Sequence, residues 1–194
     1  MPAFAHICRL LLLLLLQHSP AFSAELPVAS LADDDVEVVY RDGTYFARFA
    51  CSVSVSPAVA LDVLIDFNHM VGVVPNLESS EIVSRRENVF VVRQRGTANF
   101  GPFAFPFESQ RQIEVLPDGR ILARALSGTT KHMHSEMRVQ AQGNGTRLDY
   151  RVEIVPDRWV PSSIGIHFMS HEIAEQFSAL FREMERRQAS RKGR

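Results

Sequence analysis

The sequence predicts an α+β domain in which one curved antiparallel sheet wraps around a long C-terminal helix, with two short helices after the first strands. Three observations predict it. Between residues 80 and 155 strand-like stretches follow one another with only turn chemistry between them. Strands joined that tightly run antiparallel, because parallel neighbours need long crossovers. The C-terminal segment then carries a single apolar stripe at three- and four-residue spacing, the mark of an amphipathic helix lying on a sheet. A hairpin and two short helical segments precede the strand series.

The chain opens with an address. A basic stretch from Met1 to Arg9 leads into the leucine run Leu10 to Leu16, then into helix-breaking Pro20 and the small-x-small triplet Ala21-Phe22-Ser23 before Ala24. This is the layout of a secretory signal peptide over residues 1–23, and the run is well short of the ~20 residues that span a bilayer. An uncleaved anchor is the alternative. Export to the periplasm or beyond is the expectation, and residues 24–194 suffice for one domain with a sizeable core. They retain one cysteine, Cys51, so no disulfide framework holds the fold.

Residues 24–35 read as a flexible lead, and the domain proper as 36–188. Val36 to Tyr40, the turn pair Asp42-Gly43, and Tyr45 to Val55 form a hairpin. Its second strand puts Tyr45, Ala47, Phe49, Cys51, Val53 and Val55 on one face. Ser56-Pro57 is an N-cap with proline at the first helical position, opening a helix to about Phe67. A second short helix or turn covers His69 to Val74. Strands follow at Ser80 to Arg85, Val89 to Asn99, Phe103 to Leu116, Arg120 to Leu126, His132 to Ala141 and Thr146 to Val155. Glycine, proline and asparagine clusters punctuate them. The final helix runs from about Ser162 to Gln188. Its stripe is Ile166, Met169, Ile173, Phe177, Leu180 and Met184, with Glu172, Glu175, Arg182, Glu183, Arg186 and Arg187 mostly on other faces. Residues 189–194 form a basic tail, read as a solvated helix end, with transient contact to an anionic membrane surface as the alternative.

A net charge of −1 and scattered basic residues exclude a nucleic-acid binder, which needs a basic stripe. No glycine-rich phosphate loop, no Gly-x-Ser-x-Gly elbow and no cysteine pair is present, so no cofactor is expected. A sheet curved around a helix cannot touch it everywhere, and the space left over is lined by apolar side chains, the chemistry of a ligand pocket.

Ser56-Pro57-Ala58-Val59-Ala60-Leu61-Asp62-Val63-Leu64-Ile65-Asp66-Phe67, Val74-Pro75-Asn76-Leu77-Glu78-Ser79-Ser80 and Gly145-Thr146-Arg147-Leu148-Asp149-Tyr150 resemble the START/Bet v 1-like helix-grip superfamily. Within it the chain looks most like the polyketide cyclase / coenzyme Q-binding START-like group. The resemblance spans Val36 to Arg187. It implies a helix-grip fold and a monomeric carrier for a hydrophobic small molecule such as a lipid, quinone or sterol-like ligand. Some members of the group are instead cyclases or dehydratases acting on aromatic or polyketide-type substrates. Where family members often carry a tryptophan, this sequence has Met137.

Phe67, Val74, Phe103, Phe105, Phe107, Met133, Met137, Ile166, Met169, Ile173 and Phe177 are the expected cavity wall. Phe103, Phe105 and Phe107 share a face of one strand, and Pro106, which lacks a ladder donor, places that stretch at an edge or bulge. Arg93 and Arg111 are the candidate polar anchors for a ligand's acidic or carbonyl end. Two histidine arrangements have metal-like spacing, His132-x-His134-x-Glu136 on a strand and His167 with His171 on the helix. Both are expected to point away from the cavity, and neither is assigned a metal or a catalytic role.

Overall fold

A computed structural model describes residues 30–157 and 161–193. The leader expected over residues 1–23 lies outside the described residues. A 3-10 turn at Asp33–Asp35 opens the fold, followed by β1 (Glu37–Arg41), β2 (Thr44–Val53), α1 (Pro57–Leu64) and a second 3-10 turn at Phe67–His69. Then come β3 (Leu77–Arg86), β4 (Val89–Phe100), β5 (Phe103–Val115), β6 (Arg120–Gly128), β7 (Thr130–Gln142), β8 (Gly145–Pro156) and α2 (Ser162–Lys192). The eight strands form one sheet in the order β1-β2-β8-β7-β6-β5-β4-β3, antiparallel throughout. After β2 the chain crosses by way of α1 to the far edge. It then returns strand by strand until β8 pairs with β2. This is the helix-grip α+β architecture.

Curvature has a local cause. Register shifts interrupt β3 twice, β6 at Leu126 opposite Gln110/Arg111, and β7 at Thr130/His132. An unpaired extra residue bends its strand and increases the twist. Because β6 joins β5 only from the Ser109–Gly128 pair onward, residues 103–107 pair with β4 alone. Pro106 sits in this one-sided arm, where its missing N–H leaves no gap in a ladder. Period-two alternation puts Tyr45, Ala47, Phe49 and Val53 of β2 and Leu148 and Val152 of β8 against the helix stripe of Ile173, Leu180, Phe181 and Met184, all buried. Cys51 is half-buried on the same face, and burial, then Asp149, push its thiol up to about 12.

Helix boundaries move where tertiary contacts outweigh local pattern. Ser56 Oγ caps α1 by accepting from Val59 N–H (3.4 Å), but α1 stops at Leu64 instead of running to Phe67. Asp66 leaves helical geometry (φ −83°, ψ 57°) and turns its carboxylate to His69 and Arg187. At the other end α2 continues through Lys192, so the supposed tail is mostly helix. Arg191 bonds Asp62 at 2.6 Å and Gln188 reaches Ser56, which ties the last turns to α1. Arg186 and Arg187 are likewise paired to Glu183, so three of the C-terminal arginines are ion-paired within the fold.

Glu183 is buried on α2, although its spacing placed it off the stripe, because these two arginines cover it. The Arg186 hydrogen bond, opposed by burial and aided by Arg187, holds its carboxyl below the usual range. At Asp66 burial works upward, but the His69 and Arg187 bonds prevail and lower it. A carboxyl depressed in the folded state contributes stability above its unfolded value of about 4 that is lost as pH falls through the folded value. Acidification from pH 7 to pH 3 should therefore destabilise the wild type more steeply than Arg187→Met in urea unfolding. Parallel pH profiles would sink this assignment.

Candidate functional site

The concave face of the sheet is largely apolar, with a cluster of polar groups around Arg111. Regular alternation along β5 turns Phe105, Phe107, Ser109, Arg111 and Ile113 inward, opposite the inward Ala98, Gly96, Gln94, Val92 and Phe90 of β4. Arg111 thus lies between the sheet and α2. Burial depresses its pKa, and no carboxylate is among its partners. Its Nη2 donates to Gln94 Oε1, while its Nε is buried with no hydrogen-bond partner. Gln94 in turn donates to Ser80 Oγ at 3.0 Å, which fixes the amide so that its oxygen faces the guanidinium. From β8, Tyr150 enters the same interior. Burial pushes its hydroxyl up, Arg111 acts in the opposite direction, and Ser135 of β7 hydrogen-bonds it.

Between Arg111 and the β7–β8 pair, the inward positions of β6 are the small Ala123 and Ala125. Met133, Tyr150, Met169 and Phe177 are enclosed between sheet and helix, yet each keeps part of its surface uncovered by neighbours. An interior guanidinium with an open donor, facing a phenol across small side chains, can take an anionic or carbonyl oxygen. Arginine stays protonated in proteins, so the burial is tolerated charge and not neutralisation.

The expected wall residues divide. Met133 and Met137 are inward on β7, opposite Ile154 and Tyr150, and Met137 is buried. Phe177 packs on Phe49 (4.7 Å between centroids) and Tyr150 (4.9 Å). Phe105 meets Phe168 at 5.1 Å, and the Phe107 ring lies against Gly96. Ile166, Met169 and Val74 are half-buried, and Ile173 is buried in the core. Phe67 is 4% exposed and packs edge-on to Phe90 at 5.6 Å in the core. One expectation needs correction. Arg93 lies on the outer face, where it bonds Glu81 at 3.0 Å, because it is out of phase with the inward Val92 and Gln94. The Phe103 side chain lies outside the described residues.

Both histidine arrangements face outward. His132 pairs with Glu153 at 2.7 Å, and Glu136 is covered by Arg138 and Arg151. His167 bonds the Ser163 carbonyl and His171 bonds Asp33. Among the described residues no group of three or more histidine, cysteine or acidic side chains stands close enough to hold a metal ion. A groove of about 640 Å³ opens on the outer face between Glu37, Arg48, Glu136, Arg138 and Arg151. Its arginines are exposed and ion-paired, Arg48 with Glu37 and both Arg138 and Arg151 with Glu136.

Sequence reasoning missed Tyr150, Gln94, Ser135 and Phe168. The first three sit in phase with apolar neighbours on their strands, which was the available signal. Phe168 touches Phe100 (5.9 Å) and Phe105 and closes the β4–β5 arm onto α2. It falls outside the helix stripe, so only the arm's position explains it.

No curated protein is similar enough in sequence to count as a relative. Solved structures share the fold at low identity. A START superfamily protein of Mycobacterium smegmatis superposes with a TM-score of 0.64 at 12% identity, covering 73% of this chain and 97% of its own. The Zhui aromatase/cyclase of Streptomyces sp. R1128 gives 0.59 at 18% identity, covering 74% and 95%. A STAR-related lipid transfer protein of Xanthomonas axonopodis gives 0.58 at 13%, covering 78% and 99%. The family model for polyketide cyclase / dehydrase and lipid transport matches residues 53–182, which runs from the end of β2 through most of α2. The inward sheet face, the closing helix and this match over most of the chain agree, and the chain belongs to the polyketide cyclase / dehydrase and lipid transport family of the helix-grip superfamily.

Proposed function

We propose that this protein is an exported, monomeric carrier that takes a hydrophobic small molecule, of lipid, quinone or sterol-like size, between the sheet and α2. The oxygen-bearing end of the ligand, a carboxylate or carbonyl, seats against Arg111. The observation that carries this reading is the buried guanidinium with an unpartnered Nε and no acidic neighbour. A buried charge that no internal carboxylate balances is costly for the empty protein, and a ligand that supplies the missing acceptor recovers that cost. Export rests on the leader sequence. Contact with a membrane surface through the C-terminal arginines is disfavoured, since Arg186, Arg187 and Arg191 are held by Glu183, Asp66 and Asp62.

Protein purified without detergent should yield, on organic extraction and mass spectrometry, apolar molecules ending in a carboxyl or carbonyl group. A clean extract, together with no binding of a fluorescent fatty acid, would overturn the carrier. One observation favours a second reading, a cyclase or dehydratase. Tyr150 stands in the electrostatic reach of Arg111, and two such donors can stabilise an enolate oxygen.

A further inference from the structure

The loop Val71–Asn76, which leads into β3, is fastened at its end by one residue. Asn76 adopts the left-handed conformation (φ 62°), and its carbonyl accepts from Thr97 N–H of β4 at 2.9 Å. Its side-chain Nδ2 donates to Glu175 Oε2 of α2 at 3.2 Å, and its Oδ1 accepts from Asn99 of β4 at 3.4 Å. A single asparagine therefore joins loop, sheet and closing helix. Next to it on α2 is Glu172, which the helix pattern placed off the apolar stripe. It is only 6% exposed, and its Oε1 is buried with no hydrogen-bond partner.

A buried ionised oxygen with no donor is strongly disfavoured, whereas the neutral carboxyl is tolerated. The groups facing Glu172 reinforce this. Burial acts first and the Glu175 carboxylate second to push its pKa up. The Gln176 side chain, His171 and Asn76 act the other way without reversing the shift, and His171 is itself bonded to Asp33.

We propose that Glu172 is a proton-operated latch on the Val71–Asn76 loop: neutral, it lets α2 close on Asn76, and ionised, it frees the loop and uncovers the space beneath. The direction follows from the closed form preferring the neutral acid. Closure is complete below the pH at which Glu172 ionises in place, and weakens as pH rises through it. Ionisation would put two carboxylates side by side against Asn76, one without water, and moving the loop admits the water. Release of a bound molecule then quickens toward alkaline pH. Only this last consequence rests on the carrier reading.

The test is made on ligand-free protein, so it succeeds or fails independently of what the extract contains. Amide hydrogen exchange at Thr97, bonded to Asn76, and at Val73 and Val74, bonded to Met70, is followed from pH 5 to 8.5 and corrected for intrinsic rates. In the wild type, protection at these amides should fall about tenfold for each pK unit by which closure raises Glu172. Glu172→Gln, neutral and of the same shape, should stay protected across the range. Glu175→Gln removes the like charge that helps to raise Glu172, so it should keep the transition and move it to lower pH, and the decisive comparison is wild type against Glu172→Gln. Identical pH profiles in those two, a flat wild-type profile, or equal loss of protection at core amides of β8 would each overturn the latch.

Discussion

Replacing Arg111 with methionine should leave the melting temperature unchanged or higher while lowering affinity for a carboxylate-ended ligand about 10- to 150-fold, the equivalent of one charged hydrogen bond at ~1.5–3 kcal/mol. The two effects have opposite signs because the guanidinium lacks an acid partner. Exchanging buried ionic groups for apolar side chains of like volume is often neutral or stabilising, by about 1–4 kcal/mol. The exchange also strips Gln94 Oε1 of its donor, a penalty of ~1–3 kcal/mol, so the double variant Arg111→Met, Gln94→Leu is measured beside it. Binding is read with a fluorescent fatty acid and with a hydrocarbon analogue lacking the carboxyl. Loss for the acid alone is the expected result. A steep fall in melting temperature with unchanged acid affinity would make Arg111 a structural residue and remove the basis of the anchor.

Gly96→Ala should be a strongly damaging single-methyl addition in the sheet. An added Cβ would lie 2.0 Å from the Asn76 carbonyl oxygen and 2.8 Å from the Phe107 ring. The ring can give way, but the carbonyl is main chain and is held by the next residue, Thr97, at 2.9 Å. Overpacking of this kind costs about 1–3 kcal/mol, and for a domain of this size each kcal/mol moves the melting temperature by roughly 2–4 °C. A fall of about 2–12 °C in thermal unfolding is expected on those figures, with Thr97 losing exchange protection before the core does. A melting temperature within a degree of wild type would show that the loop end is not seated on β4 as described.

Much of the architecture was legible because the period-two and 3.6-residue patterns are local. Tyr45 to Val53 alternate as written, and the stripe from Ile173 to Met184 faces the sheet. Turn residues separated the strands correctly, with Asp42 and Gly43 both at positive φ in the first hairpin. Strand ends were drawn short at β3, β6 and β7, where pairing with a neighbour extends a strand beyond its own alternating core. The α1 end was misplaced for the corresponding reason: Asp66 is claimed by Arg187, 121 residues away.

The site was legible only in part. Arg111 shares its phase with Phe105, Phe107 and Ile113, and that phase alone argues for an inward side chain, while Arg93 is out of phase with Val92 and faces Glu81. The burial of Glu172 and Glu183 could not be read from a helix wheel. Both carboxyls lie outside the apolar stripe, and each is covered by residues distant in sequence or by arginines folded over it.

By itself the sequence determined the elements, their antiparallel pairing and the inward face of most apolar runs, because those depend on periodicity and on residues adjacent along the chain. Tertiary structure alone decided which polar groups inside are balanced and which are not. Whether Arg111 has an acid partner, whether Glu172 has a donor, and whether Asn76 can reach both β4 and α2 depend on distances between elements. Those distances are set by the bulged curvature of the whole sheet around one helix, a property no single segment carries.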